Sequence, residues 1–151
     1  MRRAFQILLG LLLAGAVAQA ADQRVIKVLP HLLDKEGRHA RSPSLFDRDA
    51  YQVWLRDNPD EQSGVRYDVQ GRAATPGEYV LKLELLGRVV QGRPLRQTIE
   101  EKVGSTRRSS RWSAIEFSGE EYKKFGQVVA WRVTLWRGDE MVARQQSFLW
   151  D

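Results

Sequence analysis

The chain contains no cysteine among its 151 residues. Disulfide bonds, thiol catalysis and thiolate metal sites are therefore excluded. A lipid anchor on a lipoprotein cysteine is excluded for the same reason. A domain of this length can still bury enough apolar surface to fold without covalent cross-links.

Catalytic residue types are also scarce. His31 and His39 are the only imidazoles available as a base for a serine nucleophile. The sequence has no Gly-x-Ser-x-Gly elbow and no Walker or Rossmann glycine pattern. The adjacent glutamates at 100–101 and 120–121 would point to opposite faces of a strand. We therefore predict no catalytic residues and no cofactor.

Metal-binding patterns are incomplete. The two histidines flank a predicted turn at residues 34–37, where Asp34 or Glu36 could join them, but one turn supplies too few zinc ligands. An acidic region lacks the spacing of a calcium loop and has arginines interleaved with its carboxylates. Its members are Asp47, Asp49, Asp57, Asp60 and Glu61. We predict no metal site.

Only one long apolar run is present, and it lies near the N-terminus. Arg2 and Arg3 precede the apolar residues 7–17, and Ala18-Gln19-Ala20 has the small-x-small pattern of a cleavage site. The run is shorter than the ~20 residues of a membrane span. We predict a signal peptide over residues 1–20 and one mature domain over residues 21–151, located in the periplasm or, alternatively, secreted.

The charge balance argues against nucleic acid as a partner. Loss of Arg2 and Arg3 with the signal peptide lowers the formal net charge from +5 to +3. A charge of this size is typical of an ordinary soluble domain. The mature domain is expected to lack a transmembrane segment, because no later run is apolar enough to cross a bilayer.

Alternation of apolar and polar residues predicts seven short strands. They cover residues 24–29, 65–69, 79–85, 95–103, 112–117, 129–135 and 141–150. Turn residues such as Pro76-Gly77 and Gly138 separate the strands. Strand 95–103 is polar enough for a sheet edge. Seven short strands with frequent turns favour an all-β antiparallel sandwich.

One segment has helical spacing instead. Phe46, Ala50, Val53 and Trp54 repeat at helical intervals within residues 44–57, and Ser44 is a candidate N-cap. We predict an inserted helix of about three turns that closes one end of the sandwich, with Trp54 packed beneath it. A second helical turn is predicted over residues 118–125, with its aromatic side chains facing inward.

These runs resemble the immunoglobulin-like and fibronectin type III β-sandwiches in broad architecture. The pair of strands at 128–135 and 147–149 carries most of the resemblance. The cysteine pair of antibody domains is absent, and the inserted helix is a departure. Such sandwiches serve many functions, so the resemblance implies no chemistry.

Two surface features are candidates for binding. Arg107, Arg108 and Arg111 lie among serine and threonine residues and could bind an oxyanion, although a charged loop that keeps the protein soluble has the same composition. Alternation puts Trp136 and Trp150 on the polar face of the last two strands. We predict an exposed aromatic strip there, of the kind that stacks on sugars, unless the helix or chain end covers it.

We therefore expect an exported, non-catalytic binding module that contacts a protein or a component of the cell envelope, with polysaccharide as a further ligand class. Strand addition at the edge of the last strand is one expected mode of contact. A carbohydrate-binding module using Trp136 and Trp150 is an alternative. A hydrolase of an envelope polymer is another, and it would need two carboxylates, or a carboxylate and a histidine, in one cleft.

Overall fold

The computed structural model describes residues 23–105 and 110–150, so the predicted signal peptide lies outside the described residues. The described residues form seven strands and two α-helices, as the sequence predicted. They are β1 (Arg24–Asp34), α1 (Leu45–Asp57), β2 (Gln62–Arg72), β3 (Gly77–Val90), β4 (Arg93–Ser105), β5 (Ser110–Ser118), α2 (Gly119–Phe125), β6 (Ala130–Arg137) and β7 (Glu140–Gln146). Short 3₁₀ turns occur at Pro59–Glu61 and Phe148–Trp150.

The strands form two antiparallel sheets. One sheet has the order β1-β2-β5 and the other has the order β4-β3-β6-β7. All pairings are antiparallel, and β4 lies at a sheet edge as its polar sequence predicted. The predicted all-β sandwich with an inserted helix is therefore confirmed.

The core lies between the two sheets and follows the alternation of the strands. Val65, Tyr67 and Val69 of β2 face Leu81, Leu83 and other apolar residues of the second sheet, and their side chains are almost fully buried. Burial of each such side chain contributes roughly 1.5–3 kcal/mol before the entropy of ordering is subtracted. No helix in the described part of the chain has the length and apolar character to cross a bilayer.

A side-chain cap begins α1, and aromatic packing holds α2 against the sheets. The Ser44 hydroxyl accepts a hydrogen bond from the Asp47 N–H of α1 at 3.4 Å, which is the predicted N-cap. In α2, Tyr122 and Phe125 are buried as predicted, and the Phe125 ring lies over Gly87. A Cβ atom on Gly87 would lie 2.9 Å from that ring, so only glycine allows this close contact.

The last strand is shorter than predicted. Residues 141–150 alternate as a single strand would, but β7 ends at Gln146. Ser147 then accepts a hydrogen bond from the Trp131 N–H through its hydroxyl and donates its own N–H to the Trp131 carbonyl. These bonds end the ladder, and Phe148–Trp150 turns away as a 3₁₀ turn.

Candidate functional site

Helix α1 is attached to the outer edge of β1 by polar side chains. The Gln52 side-chain oxygen accepts the Leu32 N–H at 2.7 Å, and its amide nitrogen donates to the carbonyls of Leu32 at 3.0 Å and His39 at 2.8 Å. An edge strand leaves its N–H and C=O groups unpaired. Gln52 therefore satisfies the edge of β1 as a neighbouring strand would.

Asp34 fixes the other contact between the helix and the sheet. Its buried carboxylate accepts the N–H groups of Glu36 at 3.0 Å and Arg38 at 2.8 Å, the Arg38 guanidinium at 3.0 Å and the Tyr51 hydroxyl at 2.6 Å. Burial raises the pKa of this carboxyl, but these hydrogen bonds outweigh it and lower the pKa to about 2. Asp34 therefore stays ionised and holds α1 in place.

The outer face of α1 is apolar and includes Trp54, which was predicted to pack beneath the helix. Phe46, Ala50, Val53 and Trp54 are all exposed, with Phe46 at 81% and Trp54 at 40%. The side that faces the sheet carries Tyr51, Gln52 and the fully buried Leu55. The reason is that a strand edge needs hydrogen-bonding partners, so the polar side of this helix is the one that packs.

A cleft of about 640 Å³ opens beside α1, between the C-terminal half of β1 and the start of β6. We call it the end cleft. Its walls include Leu32, Val65, Tyr67, Tyr122 and Trp131, and its rim includes Arg56, Asp60, Lys123, Gln127 and Val129. Its volume lies in the range of ligand-binding clefts, and polar and apolar groups contribute about equally to its lining.

The wall of the end cleft contains an unused hydrogen-bonding group. Tyr67 is only 2% exposed, and its hydroxyl makes no hydrogen bond within residues 23–105 and 110–150. Burial and the neighbouring Tyr122 raise the pKa of the Tyr67 phenol, so it remains a neutral donor. In contrast, the Tyr122 hydroxyl donates to the Gln62 side chain at 2.9 Å. The cleft can therefore hold a mainly apolar group and donate one hydrogen bond to a polar atom that this group carries.

Most of the large apolar side chains exposed on the described residues lie near this end of the sandwich, which we call the α1 end. Leu86 pairs with Ala130 at the start of β6, so residues 89–90 at the end of β3 extend past the same end. The exposed side chains there are Leu45, Phe46, Val53, Trp54, Val89, Val90, Val129, Phe148 and Leu149. Concentrations of exposed apolar side chains are common at interaction surfaces of proteins.

Trp136 and Trp150 lie on the outer face of the second sheet and are both half-buried. The Lys82 ammonium lies 4.9 Å from the centre of the Trp136 ring, and the Arg132 guanidinium lies 4.7 Å from that of Trp150. The Trp136 indole also donates to the Thr134 hydroxyl at 2.8 Å. One ring face of each tryptophan is thus engaged by a cation of the chain itself.

Of the predicted arginine cluster, Arg107 and Arg108 lie outside the described residues. Arg111 is described, and its guanidinium donates to the Gly104 carbonyl at 3.3 Å. Arg111 and Gly104 both line a cavity of about 360 Å³ between β4 and β5, at the end opposite α1. The predicted oxyanion site is therefore not assembled from described groups and stays a prediction.

The two histidines meet each other. Their ring centres are 4.9 Å apart, and the His31 Nε2 lies 3.3 Å from an Asp68 oxygen. Burial lowers the pKa of His31, and this outweighs the opposite effect of Asp68. The part of the chain that the structure describes contains no group of three histidine, aspartate or glutamate side chains arranged to hold a metal ion.

Sequence reasoning missed the end cleft and the exposed aromatic residues beside it. Trp54 and Trp112 are more exposed than the two tryptophans that were predicted to form the strip. The sequence does contain a signal for the side of α1 that packs, because Tyr51, Gln52 and Leu55 also repeat at helical spacing on the side opposite the apolar one. No family model, curated protein or solved structure matches this chain.

Proposed function

We propose that this protein is a non-catalytic binding module of the periplasm, or alternatively of the cell exterior, that contacts another protein through helix α1. The outward apolar face of α1, formed by Phe46, Ala50, Val53 and Trp54, is the observation that supports this function. Exposed aromatic residues are enriched among the contacts that contribute most to protein binding.

The attachment of α1 makes this face a pre-formed surface. Gln52 and Asp34 bind the helix to the sheet through hydrogen bonds on its inner side. A partner would therefore meet an ordered helix, and little further ordering would oppose binding. The edge of β7, which the sequence suggested for strand addition, is a sheet edge but offers only Glu140–Gln146.

An immunoglobulin-like or fibronectin type III-like relationship is part of this proposal. The orders β1-β2-β5 and β3-β6-β7 match strands A-B-E and C-F-G of immunoglobulin sandwiches. The fourth strand pairs with β3, as strand C′ of variable-type sandwiches joins the C-F-G sheet, and not with the first sheet as strand D of constant-type sandwiches does. This likeness supports a shared architecture and implies no particular partner.

Substitutions on the outer face of α1 should leave the fold intact. We expect Phe46→Ser and Val53→Ser to change the free energy of unfolding by less than about 1 kcal/mol, because both side chains are exposed. Urea denaturation monitored by circular dichroism measures this. A loss of several kcal/mol for either variant would mean that this face is packed, and would contradict the orientation of the helix.

Site-specific photocross-linking in the producing cell tests the binding function. With benzoylphenylalanine in place of Phe46, we expect a discrete adduct with another protein that disappears when Val53→Asp is added. The same photoreactive residue in place of Trp112, which is exposed at the opposite end, is the matched control. Absence of any adduct from Phe46, or the same adduct from Trp112, would count against the proposal.

A further inference from the structure

Phe148 is almost fully exposed among the described residues, although the turn that carries it is anchored. It is 96% exposed, the highest value among the large apolar side chains of the described residues. On one side of it, Ser147 makes two hydrogen bonds with the backbone of Trp131. On the other side, the Trp150 ring contacts the Arg132 guanidinium at 4.7 Å.

The anchoring of this turn continues into the sheet. Arg132 donates to both carboxylate oxygens of Glu84 on β3, at 2.7 and 2.9 Å. Such a two-point ion pair fixes the guanidinium plane on which Trp150 rests. The Trp150 N–H also donates to the Ser147 carbonyl at 3.2 Å. Phe148 is therefore held outward by the fold, and its exposure is not that of a loose chain end.

The exposed Phe148 and the end cleft are neighbours on the same surface. Trp131 forms part of the cleft wall, and its backbone is bonded to the residue that precedes Phe148. The cleft has room for an aromatic side chain among Leu32, Tyr122 and Trp131. A surface that carries both a protruding aromatic residue and a matching cleft is complementary to itself, as a two-fold symmetric interface requires.

The charges around the cleft also suit self-association. Arg56 and Lys123 lie on the rim together with Asp60, and Asp57 ends helix α1 nearby. Because both signs are present on one surface, two-fold pairing can bring cations of one copy towards carboxylates of the other. A strongly anionic or cationic partner would instead meet like charges on part of the rim.

We propose that two copies of this chain associate through the α1 end, with Phe148 of each copy seated in the end cleft of the other. Leu149 and Val129 border the contact and would be covered with it. Specific dimers bury about 800 Å² per partner, so the contact would extend from Phe148 across the rim of the end cleft.

This dimer is separate from the binding function of the outer face of α1. The residues of α1 that line the end cleft are Gln52 and Arg56, whereas Phe46 and Val53 lie on the exposed side of the helix. A second copy could thus occupy the cleft while α1 remains open to another protein. Failure of one proposal leaves the other standing.

Sedimentation equilibrium of the purified protein over a concentration series tests the dimer. We expect a monomer–dimer equilibrium whose dissociation constant rises about 100-fold or more in Phe148→Ala, because the contact occurs twice in the dimer. Phe46→Ala removes an equally large exposed ring from α1 and should leave that constant unchanged. Val129→Arg, at the rim of the cleft, should weaken the dimer as Phe148→Ala does.

The absence of native cysteine allows a direct check of the geometry. Leu149→Cys on one copy and Gln127→Cys on a differently tagged copy should form a mixed disulfide faster than Leu149→Cys pairs with itself. A monomer at every concentration, or an equilibrium insensitive to Phe148→Ala, would overturn the proposal. A monomer that binds phosphatidylcholine vesicles through Phe148 would overturn it as well and would assign this surface to lipid.

Discussion

Replacement of Asp34 by alanine is expected to lower the free energy of unfolding by about 3 kcal/mol. The change would leave the Tyr51 hydroxyl and the N–H groups of Glu36 and Arg38 without their acceptor. It would also remove one of the two attachments of α1 to β1, leaving only that of Gln52. Urea denaturation at neutral pH measures the loss, and Asp57→Ala, which removes an exposed carboxylate at the end of α1, should cost less than about 1 kcal/mol.

The same carboxylate should make stability depend on pH in the acidic range. Its pKa is about 2 in the folded protein, below the value of 3.8 that is usual for an aspartate. Folding therefore favours the ionised form, and the contribution is complete above the unfolded pKa and is lost as the pH falls through about 2. The shift corresponds to about 2 kcal/mol.

A comparison with Asp34→Asn isolates this contribution from the other acidic groups. Between pH 5 and pH 2, we expect the wild-type protein to lose about 2 kcal/mol more than Asp34→Asn, which cannot titrate at this position. Parallel stability curves for the two proteins would contradict the assignment. Tyr51→Phe removes only one of the donors and should lower stability by about 1 kcal/mol.

Replacement of Gly64 by alanine is the second large effect that we expect. Gly64 of β2 pairs with Ser118 at the end of β5. A Cβ atom at this position would lie 2.5 Å from the Ser118 Cβ and 2.6 Å from the Phe117 carbonyl oxygen. Backbone atoms would have to move, so we expect a loss of about 3 kcal/mol in the free energy of unfolding.

Gly71→Ala in the same strand is the matched control for Gly64→Ala. A Cβ atom on Gly71 would meet nothing within 4 Å among the described residues. We expect this variant to be neutral or slightly stabilised, because alanine restricts the unfolded chain more than glycine does. Thermal unfolding of both variants measures the difference. Equal melting temperatures would show that β2 and β5 do not approach as closely as the structure indicates.

The strands were predictable because each has one face in the core. Val65, Tyr67 and Val69 alternate with polar neighbours, and all three are buried between the sheets. The pairing of β4 with β3 was not predictable, since alternation reports which face is buried and says nothing about which strand lies alongside. The early end of β7 was also hidden, because the bonds between Ser147 and Trp131 join residues that are 16 positions apart.

The candidate site was less predictable than the fold. The apolar spacing of Phe46, Ala50 and Val53 indicated a helix correctly, but the prediction that Trp54 packs beneath it was wrong. Here the helix lies against a strand edge, where hydrogen bonds from Gln52 and Tyr51 determine the contact. Residues of β1, β2, α2 and β6 form walls of the end cleft, and a pattern within one element cannot predict a cleft that several elements form.

The contact of Gln52 with Leu32 has a consequence for how this protein would aggregate on heating. The outer edge of β1 is a row of amide and carbonyl groups that another chain could extend, and one side chain occupies it at this point. If α1 detached while the sheets stayed folded, the edge of β1 would be exposed and could pair with a strand of another molecule. We expect heated Gln52→Ala to form ordered polymers before any unfolded monomer appears. This result would mean that Gln52 protects the edge of β1 from strand addition.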